Sequence, residues 1–253
     1  KADDYSWGET YQQRRTSVSR FFKGQYAKRV SCNENVDNPF YFYQLTRNFI
    51  YKGPVVEWYM RVKVAMEKNY RTFDEMIPRN ARITDIGCGY GFLPYMLAFV
   101  GRNRRVVGID YDEEKIAVAD HCFSKTENLS FVATNAITYD LPESDVFVLN
   151  DMLHYLPYEK QCLLIENCMR RLADDGMIVI RDGDSSKMEK HEVTKMTEIF
   201  STKIFKFNKT EGTLFFTSFE RINEVAAKNG FSVDSHDNDH YTSNTIFILR
   251  RIR

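Results

Sequence analysis

Three glycines at alternate positions, Gly87, Gly89 and Gly91, separate a short apolar strand from an apolar helix. The strand reads as Arg82–Ile86 and the helix as Phe92–Val100, stopped by Gly101. A strand that passes into a helix through such a loop leaves few folds open. The backbone must turn sharply, and a ligand can come close because no Cβ stands in its way. The helix start behind the loop offers N–H donors suited to a carboxylate or phosphate. Asp85 opens the motif, and Asp110 ends the next strand about 20 residues beyond it, where an acid can accept both hydroxyls of an adenosine ribose.

From Arg82 onward, strands and helices alternate. Strands are expected at Arg105–Ile109, Leu129–Val132, Asp145–Leu149 and Met177–Ile180, with Asp174-Asp175-Gly176 as a turn before the last. Helices are expected at Glu113–Phe123 and Tyr158–Leu172. Such alternation implies an α/β fold with a parallel sheet, helices on both faces and right-handed crossovers. The tail differs. Lys187–Phe200 reads as a helix, Thr213–Phe216 as extended, and Phe219–Lys228 as a helix stopped by Gly230. Phe231–Ser235 and Thr245–Leu249 have no helix between them, so they pair antiparallel or sit apart.

Ahead of the alternation, Val18, Phe21, Phe22, Tyr26 and Val30 recur at helical spacing among basic residues. That stretch suits an amphipathic helix packed on the main domain, or peripheral contact with an anionic membrane or an acidic partner. A boundary is expected near Pro54, dividing a basic, aromatic extension and lid (1–54) from the main domain (55–253). A helix should follow from Val55 to Tyr70. The 35 Lys+Arg balance 35 Asp+Glu, which carries no strong nucleic-acid signal. Five scattered cysteines without CxxC spacing read as reduced thiols, and no apolar run is long enough to span a bilayer. A cytoplasmic protein is expected, at the inner membrane face if it belongs to a larger membrane protein. The chain opens on Lys1 and reads as trimmed, processed or part of a longer protein. Its oligomeric state is open.

Among adenosine ligands, a dinucleotide fingerprint would need glycine where Phe92 stands, and no Gly-Lys-Ser/Thr ending of a P-loop is present. The remaining pattern, Asp85-x-Gly87-Cys88-Gly89-x-Gly91, resembles motif I of class I S-adenosylmethionine-dependent methyltransferases. Further stretches resemble that family in order: Asp110, Asn135-Ala136, Asp145–Asn150, Leu153-His154-Tyr155-Leu156-Pro157 and Leu172–Met177. The resemblance implies a Rossmann-like, seven-stranded, mostly parallel sheet with an antiparallel terminal hairpin and an N-terminal helical lid. It implies S-adenosyl-L-methionine as cofactor, with S-adenosyl-L-homocysteine as product. It places Asp85, Gly87, Cys88, Gly89 and Gly91 near the methionine end, Asp110 and Tyr111 at the ribose, and Asn135, Ala136 and Asn150 around the rest of the cofactor. The segments Tyr51–Tyr59 and Phe200–Lys203 resemble a narrower group, the methyltransferase module ending certain bacterial exporter/lysophospholipid-acyltransferase fusion proteins.

The sulfonium makes the methyl electrophilic, so the protein must align a nucleophile and exclude water. His154 is the candidate general base, because an imidazole titrates near neutrality; the alternative is a histidine that packs in the pocket. Asp151 is its catalytic companion. Asp151, Asp182 and Asp184 lie on one sheet edge and would suit Mg²⁺ if they converged, but no metal site is expected. Tyr51, Trp58, Tyr59, Tyr155, Asp182 and His240 are candidates for substrate contact. The expected reaction is methylation of oxygen or carbon on a small, lipid-like or phenolic acceptor. RNA or protein methylation, and a non-catalytic cofactor-binding module, are the alternatives.

Overall fold

The computed structural model describes residues 45–52, 54–66, 69–101, 103–122, 124–186, 214–237 and 244–253. A 3-10 turn (Arg47–Lys52) leads into helices α1 (Pro54–Met66) and α2 (Tyr70–Met76). Then come β1 (Arg82–Ile86), α3 (Phe92–Val100), β2 (Arg105–Asp110), α4 (Glu113–Asp120), β3 (Leu129–Ala133) and β4 (Ser144–Asn150). The chain continues through α5 (Tyr158–Arg171), β5 (Leu172–Gly183), α6 (Phe219–Lys228), β6 (Phe231–Asp237) and β7 (Asn244–Arg251).

The seven strands form one sheet in the order β3-β2-β1-β4-β5-β7-β6. β1 to β5 run parallel, and β7 is antiparallel to both β5 and β6. The antiparallel hairpin expected from the sequence is present, with its second strand inserted next to β5. Strands buried on both faces need apolar residues at successive positions. Val146 and Val148 of β4 pack into one core with α1, α2 and α3, while Phe147 and Leu149 pack into the other with α5 and α6.

Two expectations about element boundaries change. The helix expected over Val55–Tyr70 is two helices, and α2 re-aims the chain so that Tyr70 and Phe73 are buried, Tyr70 against Phe92 with ring centroids 4.9 Å apart. β5 begins at Leu172, not Met177. Its pairing passes from Ser144↔Leu172 to Val146↔Met177 over an irregularity, so the expected Asp174-Asp175-Gly176 turn lies within the strand. A Cβ on Gly176 would stand 2.7 Å from the Asp145 carbonyl oxygen, which accounts for the glycine there.

Leu45 and Phe49 share the core of α1 and α3, so the chain on both sides of the expected boundary at residue 54 packs on the same sheet face. The basic stretch 18–30, the helix expected at 187–200, the segment 200–203 and His240 lie outside the described residues. Among the described residues, no helix is long and apolar enough to cross a membrane.

Candidate active site

The strand order turns back at β1, which has β2 on one side and β4 on the other. Chains leaving such neighbours in opposite directions open a crevice at the carboxyl ends of the strands, the usual ligand site of open α/β sheets. Asp85 and the glycine loop, Asp110 and Asn150 all stand at this edge, at or beside the ends of β1, β2 and β4.

Gly87, Gly89 and Gly91 have φ of 76°, 55° and 80°, the left-handed region that side chains avoid. Two of them also lack room. A Cβ at Gly87 would lie 2.7 Å from Met152 Cβ, and one at Gly91 would lie 2.6 Å from the Phe131 ring. Gly89 has nothing within 4 Å, so its backbone borders open space. Four amides of the loop, ahead of the helix start to which the anion-donor expectation refers, are paired within the fold. Gly87 and Cys88 donate to the Ile109 carbonyl (2.7 and 3.0 Å), Gly89 to Asp110 Oδ2 (2.8 Å), and Gly91 to the Cys88 carbonyl (2.9 Å). These groups fold the loop, whose shape is what admits a ligand.

Asp110 is buried, and its Oδ1 also accepts from the Asp112 amide at 2.9 Å. A carboxylate has about four acceptor sites, so each oxygen keeps capacity for a ribose hydroxyl. Asp110→Ala is expected to weaken S-adenosyl-L-homocysteine binding by about 1–3 kcal/mol in a calorimetric titration. It should also lower thermal stability, because the Gly89 and Asp112 amides lose their acceptor. Unchanged affinity would remove Asp110 from the site.

Cys88 packs its sulfur where a Cβ on Gly108 would stand 2.9 Å away, and burial pushes its thiol pKa well up, which suits packing rather than reactivity. Tyr111 is exposed beside Asp110. Asn135 is exposed, and its Oδ1 accepts from the Ile137 amide at 3.0 Å, so its contact to an adenine edge would be the Nδ2 donor. Ala136 packs on the second core. Asn150 Oδ1 is buried without a hydrogen-bond partner, an acceptor that a bound donor would satisfy. An open glycine backbone, a ribose-type acid and an orphan acceptor along one crevice fit an adenosyl cofactor.

On the β4 side, His154 lies in a 3-10 turn (Leu153–Tyr155), 1% exposed. Asp182, equally buried at the end of β5, lies 2.7 Å from His154 Nδ1 and also accepts from the His154 and Gly183 amides. Burial pushes the imidazole pKa down, but the Asp182 charge and hydrogen bond outweigh it and hold the pKa above the usual value. Asp182, expected to touch substrate, instead holds His154 from behind. Asp151 adopts φ 53°, and its carboxylate is bonded by buried Arg181. Asp184 accepts from the Ser186 amide and hydroxyl. The three carboxylates weighed for Mg²⁺ thus answer three different partners.

Tyr155 lies tilted against His154 with centroids 4.2 Å apart, and Tyr59 of α1 meets Tyr90 of the glycine loop at 6.1 Å. Trp58 is 63% exposed on the outer face of α1 with Val55 and Val62, away from buried Met60. Tyr51 lies in the 3-10 turn at 47–52. The sequence did not point to the Leu214–Thr217 segment. Phe216 stacks on His154 with centroids 5.6 Å apart, and the Phe215 amide donates to the His154 carbonyl. Gln161 Nε2 ties Leu153, Leu156 and Phe215 through their carbonyls. Gln161 shares the buried face of α5 with Leu164, Ile165 and Cys168, and a polar residue on an apolar stripe is the signal that marks it.

Residues 77–242, more than half of the chain, match a family model described as a methyltransferase domain. The chain is 27% identical over 184 residues to O-methyltransferase 12 of Dictyostelium discoideum, a match covering 69% of this chain and 43% of that protein. It therefore spans less than half the length of that relative. Among solved structures it is similar to the pyocyanin biosynthetic protein PhzM, with a TM-score of 0.62 and 17% identity over 82% of this chain and 62% of that one. It is also similar to the O-methyltransferase NcsB1 from neocarzinostatin biosynthesis, solved with S-adenosyl-L-homocysteine and 1,4-dihydroxy-2-naphthoic acid. That match has a TM-score of 0.57 and 16% identity over 80% of this chain and 60% of the other. At these identities the structural likeness is one of fold. On the match over residues 77–242, the chain belongs to the methyltransferase-domain family.

Proposed function

We propose that this methyltransferase acts on a hydroxyl oxygen of a small phenolic acceptor, with His154 as general base. The observation that carries the reading is the buried His154–Asp182 pair beside the cofactor crevice. A hydroxyl must lose its proton as the methyl arrives, whereas an amine or an activated carbon has less need of a base. The bound cofactor supplies an electrophilic methyl group. Asp182 accepts from Nδ1–H of the neutral ring, so Nε2 is the nitrogen that takes the acceptor's proton. The imidazolium formed then faces the Asp182 carboxylate. Asp151 keeps the turn after β4 in place through Arg181 rather than touching the acceptor. The 3-10 turn and α1 form the cover of the site, bearing on the glycine loop where Phe49 and Tyr59 meet Tyr90 edge-on. Aromatic walls at Tyr155 and Phe216 suit a planar acceptor. The O-methyltransferase named among the relatives supports this reading.

The test is incubation with S-adenosyl-L-methionine and a panel of phenols, enolisable carbon acids, amines and RNA, with product analysis by mass and by methyl chemical shift. Methyl ethers of one or more phenols are expected. Methylation confined to carbon, nitrogen or RNA would overturn the proposal, as would cofactor binding with no turnover on any acceptor.

A further inference from the structure

Gln161 is buried near the start of α5, where the other inward positions of the helix are apolar. A buried primary amide is costly unless its donors are answered, and an apolar side chain of the same size would carry no such cost. Its Nε2 reaches three carbonyls, those of Leu153 at 3.0 Å, Leu156 at 2.9 Å and Phe215 at 2.7 Å. Three acceptors around one atom fix it as the amide nitrogen, and its two hydrogens are shared among them. Leu153 and Leu156 stand before and after His154 in the chain. The turn between them is a 3-10 helix of three residues, a form with poor hydrogen-bond geometry of its own.

The third carbonyl belongs to the Leu214–Thr217 segment, which lies outside the sheet, so its backbone groups need partners other than a strand. Its carbonyls are answered one by one. Phe215 accepts from Gln161, Phe216 from the Tyr158 hydroxyl at 3.3 Å, and Thr217 from the amide and hydroxyl of Ser185, both at 2.8 Å. The Phe215 amide donates to the His154 carbonyl at 2.8 Å, and the Phe216 ring stacks on the imidazole. His154 is therefore held by two bodies. Asp182 takes its Nδ1 and its amide from β5, and the 214–217 segment takes its carbonyl and one face of its ring. Gln161 bonds both that segment and the turn that carries the ring. A misplacement of about 1 Å at a reacting group can cost about 100-fold in rate, so a ring on a short turn needs such support.

Resting on the reading of His154 as general base, we propose that Gln161 is a positioning residue for the reaction. It locks the 214–217 segment onto the 3-10 turn and so fixes where His154 Nε2 meets the acceptor hydroxyl.

The test is steady-state kinetics on a phenol methylated by the parent protein. Gln161→Met keeps most of the volume and removes the donors. It should lower kcat about 10- to 100-fold while KM for the acceptor and affinity for S-adenosyl-L-homocysteine stay close to the parent's. His154→Gln and the double variant complete a cycle. If Gln161 acts through His154, adding Gln161→Met to His154→Gln should cost nothing further, because residues that act as a unit are not additive. A second variant, Tyr158→Phe, loosens the same segment from its other side and should lower kcat about two- to fivefold, again only while His154 is present. It carries the test if melting curves show that Gln161→Met does not fold. Unchanged kcat in the folded variant would overturn the proposal. So would the same fold-loss in the presence and absence of His154, which would mean that Gln161 serves only the packing of α5. Loss of turnover in His154→Gln with none in Gln161→Met would overturn this proposal alone, whereas full turnover in His154→Gln would overturn the general-base reading and this proposal with it.

Discussion

His154→Gln is expected to lower turnover by about 10²- to 10⁴-fold while leaving affinity for S-adenosyl-L-homocysteine nearly intact. The ring is buried against Tyr155, Phe216 and Asp182, on the acceptor side of the crevice. Steady-state kinetics on a phenol from the acceptor screen measure the first effect, and calorimetry the second. Full activity would make His154 a packing residue. The pH profile gives an independent reading. Asp182 favours the imidazolium, so the folded pKa lies above the ordinary 6.5 and the rate should climb as pH rises through that raised value. Asp182→Asn removes the favouring charge. Its acid limb should move to lower pH while its plateau falls, because an NH2 donor replaces one of the two acceptor oxygens that Asp182 turns toward His154 and Gly183. Stability responds with the opposite sense of pH. A group whose pKa is raised on folding stabilises fully below its unfolded value, near 6.5, and that contribution is lost as pH rises through the folded value.

The parts of this protein that read clearly from sequence are those set by local rules. Three alternate glycines after an apolar strand demand left-handed backbone, and all three adopt it. Asp110 follows the next strand because the ribose-type acid sits at a fixed distance along a βαβ unit. Phe219–Lys228 has a serine cap at Ser218 and a left-handed Gly230 after it, and its ends fall where those signals put them. What escaped depends on partners far apart in the chain. Asp182 and His154 are 28 residues apart, and only the β4–β5 pairing brings them together. Met152 explains Gly87 only in three dimensions, since the clash arises between the ends of two neighbouring strands. The folding of the glycine loop depends on distant partners in the same way: the Ile109 carbonyl and the Asp110 carboxylate, from another strand, take up the amides of Gly87, Cys88 and Gly89.

Arg104→Met is expected to destabilise the fold by about 3–5 kcal/mol, although Arg104 lies far from the crevice, at the opposite end of β2. Its side chain is 0% exposed, which no arginine in a short loop between Gly101 and Arg105 would suggest from sequence. Burying a guanidinium is costly unless its donors are all answered. Here Nη1 donates to Asp74 Oδ1 at 2.6 Å and to the Leu97 carbonyl at 3.3 Å, Nε to the Pro78 carbonyl at 3.0 Å, and Nη2 to the carbonyls of Asp74 (3.0 Å) and Ile77. Those carbonyls lie at the ends of α2 and α3, where helices leave acceptors without intrahelical donors. One side chain thus caps two helices and neutralises Asp74, itself buried and also paired with Arg79. Methionine fills much of the volume but leaves the carboxylate half-answered and several carbonyls bare. Lysine should rescue little, because one ammonium cannot reproduce a planar fork of five donors. A urea titration of both variants checks this, with the denaturation midpoint falling and its slope unchanged. A midpoint within error of the parent would mean that water reaches the site and that the guanidinium contributes no net stability. Because α2 and α3 pack in the core that also seats α1, the same variant should loosen the cover of the crevice and weaken S-adenosyl-L-homocysteine binding by less than it weakens the fold.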